Sequence, residues 1–226
     1  MKIRLVIATR LSEKDFFNKT ATGKSLSLKI SELFEIRLFA NNKIGLPKIY
    51  NQVLFESISD PAILVFLHDD IYILDYYWPF RIRNALLDFK IVGLAGNKRR
   101  VPRQPSWAFI NDSFKWDYSE NLSGAVGHGQ DLPLQNLSIY GPTRQQVKLL
   151  DGVLLASESS TFISNDLYFD EIFDFHFYDM DICRQAEIKN ISCGTLDLSI
   201  MHQSGGSFGS SEWQLAYQRY LKKWVA

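Results

Sequence analysis

The sequence is short of the features by which a motif would name it. Only two cysteines, Cys183 and Cys193, stand among 226 residues. They cannot build a disulfide framework, and neither belongs to a C-x-x-C pair. Net charge is absent too, since Lys+Arg and Asp+Glu each number 25. A neutral chain lacks the positive face that a nucleic-acid duplex or an anionic lipid surface requires, so no nucleic-acid partner is expected. No apolar run approaches the length of a transmembrane span, and the short run in MKIRLVIATRLSEKD is too brief for a secretion signal. The expected location is cytoplasmic, with peripheral membrane association left open. G-x-G-x-x-G, G-x-x-x-x-G-K-[ST], G-x-S-x-G and H-E-x-x-H are all missing, and Gly23-Lys24-Ser25 echoes only the end of a phosphate loop. Aromatics, in contrast, are plentiful, with 16 Phe, 10 Tyr and 5 Trp. The hydrophobic share of 46% suffices for a sizeable core. No linker or repeat interrupts the chain, so residues 1–226 are read as one domain.

Strand and helix signals alternate through the first half. Ile3, Leu5, Val6 and Ile7 read as a buried strand ending at Thr9-Arg10. Leu26, Leu28, Ile30, Leu33 and Phe34 allow a helix, and EIRLF at 35–39 reads as a second strand ending at Asn41-Asn42. Leu46, Ile49, Tyr50, Val53 and Leu54 follow helical spacing, with Pro47 suited to a first turn. A third strand over 62–67 carries His68-Asp69-Asp70 at its end, a helix is expected over 78–89, and IVGLAG at 91–96 reads as a fourth strand. This rhythm predicts an α/β fold with a mostly parallel central sheet and helices on both faces. Ligands bind outside the C-terminal ends of such strands, so Arg10, Asn41, Asp69-Asp70 and Asn97-Lys98 are expected on one rim.

Residues 98–146 break the rhythm with prolines, glycines and dispersed aromatics, and read as hairpins and loops laid over the domain. Beyond them, VLLA at 153–156 returns to the core, a helix is expected over 179–189, and SGGSFGSS reads as a flexible hinge. Strand-like stretches precede that hinge near 191–193 and 196–201. The last helix puts Trp213, Tyr217, Tyr220, Leu221 and Trp224 on one stripe, with Ser210 or Ser211 as its cap. Packing against the core is the expected use of that stripe, and a membrane-facing patch is the alternative. The chain is thus divided into halves 1–97 and 98–226.

Three constellations could carry chemistry. LVFLHDDIYI at 64–73 sets an imidazole and two carboxylates at the mouth of a buried strand, where they could hold a divalent cation or simply cap the next segment. FDEIFDFHFYDMDICRQAEI at 169–188 holds six acidic residues among aromatics. A carboxylate among Phe175, Phe177 and Tyr178 would be partly desolvated and gain value as a base. Against that, Asp179 and Asp181 would equally suit the first turn of a helix. IMHQSGGS at 200–207 ends a strand with His202, a metal ligand or a core histidine. KRR at 98–100 suits a phosphate or a solvated edge.

Read in order, NNKIGLPKIYNQ (41–52), ILVFLHDD (63–70), VGLAGN (92–97), LLDGVLLAS (149–157), FDEIFDFHFYDMDICRQA (169–186) and IMHQSGGS (200–207) resemble a family-2-like glycosyltransferase of the GT-A fold. The likeness leans to the subgroup related to streptomycin-biosynthesis glycosyltransferase-like proteins. The resemblance implies a metal-dependent transfer, with inversion, from a nucleotide-diphosphate sugar, expected to be a UDP-sugar, to the hydroxyl of a glycan or small-molecule acceptor. His68-Asp69-Asp70 falls where the family carries D-x-D, which implies Mn²⁺ or Mg²⁺ on Asp70, His68 and the late His202. YDMD falls on the family's E-D pair, implying Asp179 as the catalytic base, with Tyr178 in place of the glutamate. The resemblance further implies donor contacts at Thr9, Arg10, Asn41, Asn42, Lys48, Asn51, Asp69, Gly96 and Asn97. Acceptor contacts are implied at Trp107, Asp151, Gly152, Tyr178 and Asp181. ATR follows the first strand where the family has P-T-Y-N.

The chemistry is consistent with this, because a cation can neutralise a departing diphosphate without a protonating acid. The anomeric carbon would pass through an oxocarbenium-like state. The aromatics of 105–118 could stack on sugar rings or form a satellite cluster under the loop. A catalytically weak sugar-nucleotide or glycan-binding module is the alternative reading, motivated by His68 and Tyr178 at acidic motif positions. A phosphohydrolase or nucleotidyltransferase using the same acidic cluster is the third.

Overall fold

Apolar residues at consecutive positions cannot all face one side of a strand, so such a run must be covered on both faces. In the computed structural model, which describes residues 1–28 and 31–224, the runs IRLVIA and ILVFL meet this demand as β1 (Ile3–Ala8) and β3 (Ile63–Leu67). Every residue of β3 is buried, and each such aliphatic side chain contributes about 1.5–3 kcal/mol relative to exposure. The chain continues through α1 (Glu13–Lys19), α2 (Ala21–Leu26), β2 (Glu35–Phe39) and α3 (Leu46–Ser59), which precede β3. After β3 come β4 (Ile71–Ile73), α4 (Trp78–Asp88), β5 (Ile91–Gly93) and β6 (Ala95–Asn97). Then follow β7 (Leu122–His128), β8 (Asn136–Gly141), β9 (Gln146–Val147), β10 (Leu149–Leu150) and β11 (Leu154–Glu158). The last elements are α5 (Ser159–Ser164), α6 (Tyr178–Ile188), β12 (Cys193–Thr195), β13 (Ile200–His202) and α7 (Ser211–Trp224).

Two mixed sheets result. The larger has strand order β2-β1-β3-β11-β5-β12-β9. Its pairs β1/β2, β1/β3 and β5/β12 are parallel, whereas β3/β11, β11/β5 and β12/β9 are antiparallel. The α/β architecture therefore holds, but the sheet is mixed, because β11 inserts between β3 and β5 against their direction. The smaller sheet has the order β10-β6-β7-β13-β4, with β8 on the outer side of β7. Both sheets take strands from either side of residue 97, so the boundary at 97/98 divides nothing structurally. One apolar cluster runs from Ile3 to Tyr220.

Local differences from the sequence reading have local causes. The polar stretch 12–25 folds as two short helices because each has its own cap. Ser12 Oγ accepts from Asp15 N at 3.2 Å, and Thr20 Oγ1 accepts from Gly23 N at 3.0 Å. The helix expected over 26–34 is instead a 3-10 turn at Ser31–Leu33, and Ile30 lies outside the described residues. Leu28 and Leu33 are exposed, which breaks the expected apolar stripe, while Leu26 is buried at the end of α2 and Phe34 packs on Trp78. The single strand expected at 91–96 splits at Leu94, sending β5 to one sheet and β6 to the other. The aromatic stripe of α7 is core: Trp213, Tyr217 and Tyr220 are buried against Phe177. This removes the membrane-facing alternative for that stripe. Ser210 caps the helix, accepting from Trp213 N at 3.2 Å. Among the described residues no helix is long and apolar enough to cross a membrane.

Candidate active site

Parallel pairing brings the ends of β2, β1 and β3 to one edge of the larger sheet. Antiparallel pairing of Leu154 with Leu67 brings the start of β11 to the same edge. Asp151-Gly152 therefore meets the turn His68-Asp69-Asp70. That turn is fixed from two sides. The buried Thr22 hydroxyl lies 2.8 Å from the His68 carbonyl and 2.9 Å from that of Ile71, and accepts from Ile71 N at 3.1 Å. Thr22 N also donates to the Asp69 carbonyl at 3.1 Å. On the other side, His68 N donates to Val153 O at 3.2 Å and Gln203 N to Asp70 O at 3.0 Å.

The pairing of β13 with β4 sets His202 opposite Ile71, beside this turn. One ligand atom from each of His68, Asp70 and His202 lies within 4.8 Å of the others. His202 Nε2 is 3.2 Å from Asp70 Oδ2, while Asp70 Oδ1 is buried and has no hydrogen-bond partner. Burial alone would raise the Asp70 pKa, but the hydrogen bond and charge of His202 lead the effects that bring it down to about 2. Burial likewise opposes a charged His202, and Asp70 more than offsets this, so the imidazole pKa is raised. His68 goes the other way: desolvation outweighs the nearby carboxylates and lowers its pKa, favouring the neutral ring. A bare carboxylate oxygen and two imidazoles, one held neutral, fit a divalent cation; the nitrogen-rich set suits a first-row transition ion better than Mg²⁺.

The second half of the site is the start of α6. Phe177 precedes it at φ 68°, a conformation that costs a bulky residue about 1–3 kcal/mol. Stacking on Tyr217 at 5.4 Å and contact with Trp213 at 5.3 Å hold it there. The turn delivers Tyr178 and Asp179 into the site. Asp179 Oδ2 accepts from Gly152 N at 3.0 Å, and Oδ1 from Met180 N at 2.8 Å. Those donors and the helix N-terminus favour the carboxylate. Burial and then the charge of Asp151 outweigh them, pushing the Asp179 pKa up to about 7. Asp151 is itself held by Trp107 Nε1 at 3.0 Å and Val153 N at 3.1 Å. Gly152 has no room for a side chain: a Cβ there would lie 2.6 Å from the Tyr178 hydroxyl and 2.9 Å from Asp179 Cβ. The Tyr178 hydroxyl donates to Gly152 O at 2.7 Å and meets His68 Nε2 at 3.0 Å. It thus bridges the two halves.

Both halves open on one cavity of about 500 Å³. All four histidines of the chain line it. Its aromatic wall includes Trp107, Trp116 and Tyr140; Tyr140 stacks on Trp116 at 5.7 Å and meets Trp107 edge-on at 4.9 Å. His128 and Ser138, bonded to each other at 3.1 Å, come from the β7–β8 hairpin. The sequence reading missed this pair, and Thr22, because no motif or spacing links them to the site.

Of the residues singled out in the sequence, His68, Asp70, Trp107, Asp151, Gly152, Tyr178, Asp179 and His202 line the cavity. Asp69 does not, and its carbonyl serves Thr22. Thr9, Arg10, Asn41 and Asn42 sit on the loops after β1 and β2, on the same sheet edge but outside the cavity lining, and Lys48 is exposed on α3. Four other candidates are engaged elsewhere in the structure. Asn51 is buried and spent on Phe169, accepting its N–H at 3.0 Å and donating to its carbonyl at 2.8 Å. Gly96 packs on β10, where a Cβ would meet Leu149 O at 2.3 Å. Asn97 is buried and donates to Trp107 O at 3.0 Å and Asp117 Oδ2 at 2.9 Å, anchoring the following loop. Asp181 is fully buried and engaged by Lys223 Nζ at 2.7 Å, Trp224 Nε1 at 2.9 Å and Gln185 Nε2 at 2.7 Å. The basic cluster is also engaged, Arg99 with Asp117 and Arg100 with Glu187.

A family model described as "Glycosyltransferase like family" matches residues 7–215. No curated protein matches the sequence. Among solved structures, S. aureus TarS superimposes with a TM-score of 0.54 at 13% identity, covering 100% of this chain and 40% of that one. The complex of S. aureus TarS 1–349 with UDP gives 0.52 at 13% identity, covering 97% and 64%. GalNAc-T7 with UDP, GalNAc and Mn²⁺ gives 0.52 at 11% identity, covering 98% and 48%. At such identities the likeness is one of fold, and the chain spans less than two thirds of each of these proteins.

Proposed function

Because the chain belongs to the glycosyltransferase-like family, we propose that it moves a sugar from a nucleoside-diphosphate sugar to the hydroxyl of a glycan or small-molecule acceptor. The observation that carries this reading is a single cavity in which Asp179, with its pKa pushed up to about 7, shares the lining with His68, Asp70 and His202. His68, Asp70 and His202 would hold a divalent cation, in our reading Mn²⁺ in preference to Mg²⁺. When bound, that cation supplies positive charge to the departing diphosphate, so that no protein acid has to protonate it.

Asp179 acts as the base. The N–H groups of Gly152 and Met180 hold its two oxygens, and the ionised form takes the proton of the acceptor hydroxyl as that oxygen attacks the anomeric carbon. Attack opposite the diphosphate inverts the anomeric centre, which is the stereochemistry we propose. Trp107, largely buried, and Trp116, half exposed, put aromatic surface in the cavity lining for the sugar or the acceptor. In this reading Thr9, Arg10, Asn41, Asn42, Lys48 and Asp69 would contact the donor's nucleotide. UDP in the TarS and GalNAc-T7 complexes supports a uridine nucleotide. A catalytically weak binding module is the second reading, favoured by the mutual hydrogen bond of Tyr178 and His68 at two acidic motif positions.

Release of nucleoside diphosphate from a panel of sugar nucleotides with Mn²⁺ separates the two. The wild type should turn over one donor class, Asp179→Asn should lose roughly 10²–10⁴-fold in rate, and Asp70→Ala should lose the Mn²⁺ response. Full activity in Asp179→Asn would remove the base assignment. Tight nucleotide binding without any release, in the wild type, would favour the binding module.

A further inference from the structure

Tyr178 touches both halves of the site, and its single hydroxyl proton decides a question that ring positions alone leave open. The phenol oxygen is 2.7 Å from the Gly152 carbonyl oxygen and 3.0 Å from His68 Nε2. A carbonyl can only accept, so the phenol proton must lie on the Gly152 contact. Were it elsewhere, two oxygen lone pairs would face each other at 2.7 Å. The phenol then has only lone pairs to offer His68, and Nε2 must carry the ring proton. An imidazole that ligates a metal is neutral, so the ligating lone pair is left on Nδ1.

The phenol cannot easily adopt another arrangement. Its ring is buried, meeting Tyr50 edge-on at 5.7 Å and Phe169 at 6.1 Å. Gly152 closes over it, with space for a hydrogen and none for a methyl. His68 is fixed as firmly, its ring stacked on Phe175 at 5.4 Å and its backbone tied to Thr22 and Val153.

We infer that Tyr178 is a positioning residue for the cation: by accepting the Nε2 proton of His68 it fixes the tautomer and makes Nδ1 the ligating atom. The inference rests on reading His68, Asp70 and His202 as the cation site. It gives the position next to the base a task other than binding acceptor, and it couples the two halves through one side chain. Hydrogen-bond partners of this kind are typically worth 10–100-fold in metal affinity.

The test is ¹⁵N NMR of histidine-labelled, metal-free protein, paired with Mn²⁺ titration followed by electron paramagnetic resonance. Wild-type His68 should show a protonated Nε2 and an unprotonated Nδ1. Tyr178→Phe should populate the Nδ1–H form and bind Mn²⁺ about tenfold more weakly or worse. Gly152→Ala, whose methyl would displace the phenol, should do the same. A wild-type His68 protonated on Nδ1 overturns the inference even if neither variant folds. So does a Tyr178→Phe protein that keeps both the tautomer and the Mn²⁺ affinity. Wild-type protein that binds no Mn²⁺ would instead overturn the cation site itself, and the positioning role with it.

Discussion

Asp179 is a carboxylate in conflict with its surroundings. Two backbone N–H groups and a helix N-terminus favour its charge, while burial and Asp151 oppose it more strongly and push its pKa up to about 7. For a base this is useful, because proton affinity then approaches the working pH. The rate should therefore rise along an acid limb with a midpoint near pH 7. Asp151→Asn, which removes the neighbouring charge but can still accept from Trp107, should move that midpoint to lower pH. An unmoved limb would show that Asp151 does not tune the base. Stability should respond in the opposite sense. The folded state keeps a proton that the unfolded chain releases from its ordinary pKa of 3.8, so stability falls as pH rises between 3.8 and about 7. Thermal melts of metal-free protein should show Asp179→Asn gaining on the wild type across that window and level with it below.

At the scale of elements, the site depends on a three-residue turn gripped by a helix that the sequence hid. Thr22→Val keeps the shape of the residue but strips the hydroxyl from the His68 and Ile71 carbonyls and leaves Ile71 N without its partner. We expect a loss of about 1–3 kcal/mol, read by denaturant unfolding, together with weaker Mn²⁺ binding from a loosened turn. An unchanged midpoint would mean that β3 and β13 hold the turn unaided. What could be read from the sequence here follows physical rules. The helix Leu46–Ser59 and the strand Ile63–Leu67 were legible because their apolar spacing is what burial selects. The helices α1 and α2 were not, since their stability comes from the Ser12 and Thr20 caps rather than from a long apolar stripe. The surroundings of Asn97 and Asp181 were illegible for a related reason. Each stands in a motif-like place, but its side chain is consumed by partners distant in sequence, Asp117 for one and Lys223 with Trp224 for the other.

Across the whole molecule, topology does what no motif could announce. Parallel β1, β2 and β3 gather their loops at one edge, the reversed β11 carries Asp151-Gly152 to it, and β13 brings His202 from 132 residues beyond Asp70. The expected rim is found in part: the segments after β1, β2 and β3, with Arg10, Asn41 and Asp69-Asp70, share one edge, whereas Asn97 ends β6 in the other sheet, and the sheet behind the rim is mixed. His128, Ser138 and Tyr140 complete the cavity from the β7–β8 hairpin. The hairpin's residue pattern is short and glycine-containing, and gave no signal for this placement. The neutral net charge proves equally uninformative about the pocket, where carboxylates and imidazoles meet while Arg99 and Arg100 are paired elsewhere.

Whether this cavity holds a cation and the donor's diphosphate together can be tested without knowing the acceptor. Calorimetric titration of the protein with UDP, with and without Mn²⁺, is the direct measurement. Binding should be strong with Mn²⁺, weak in chelator, and reduced to the chelator level in Asp70→Ala even when Mn²⁺ is present. UDP binding of equal strength in all three conditions would rule out a shared site.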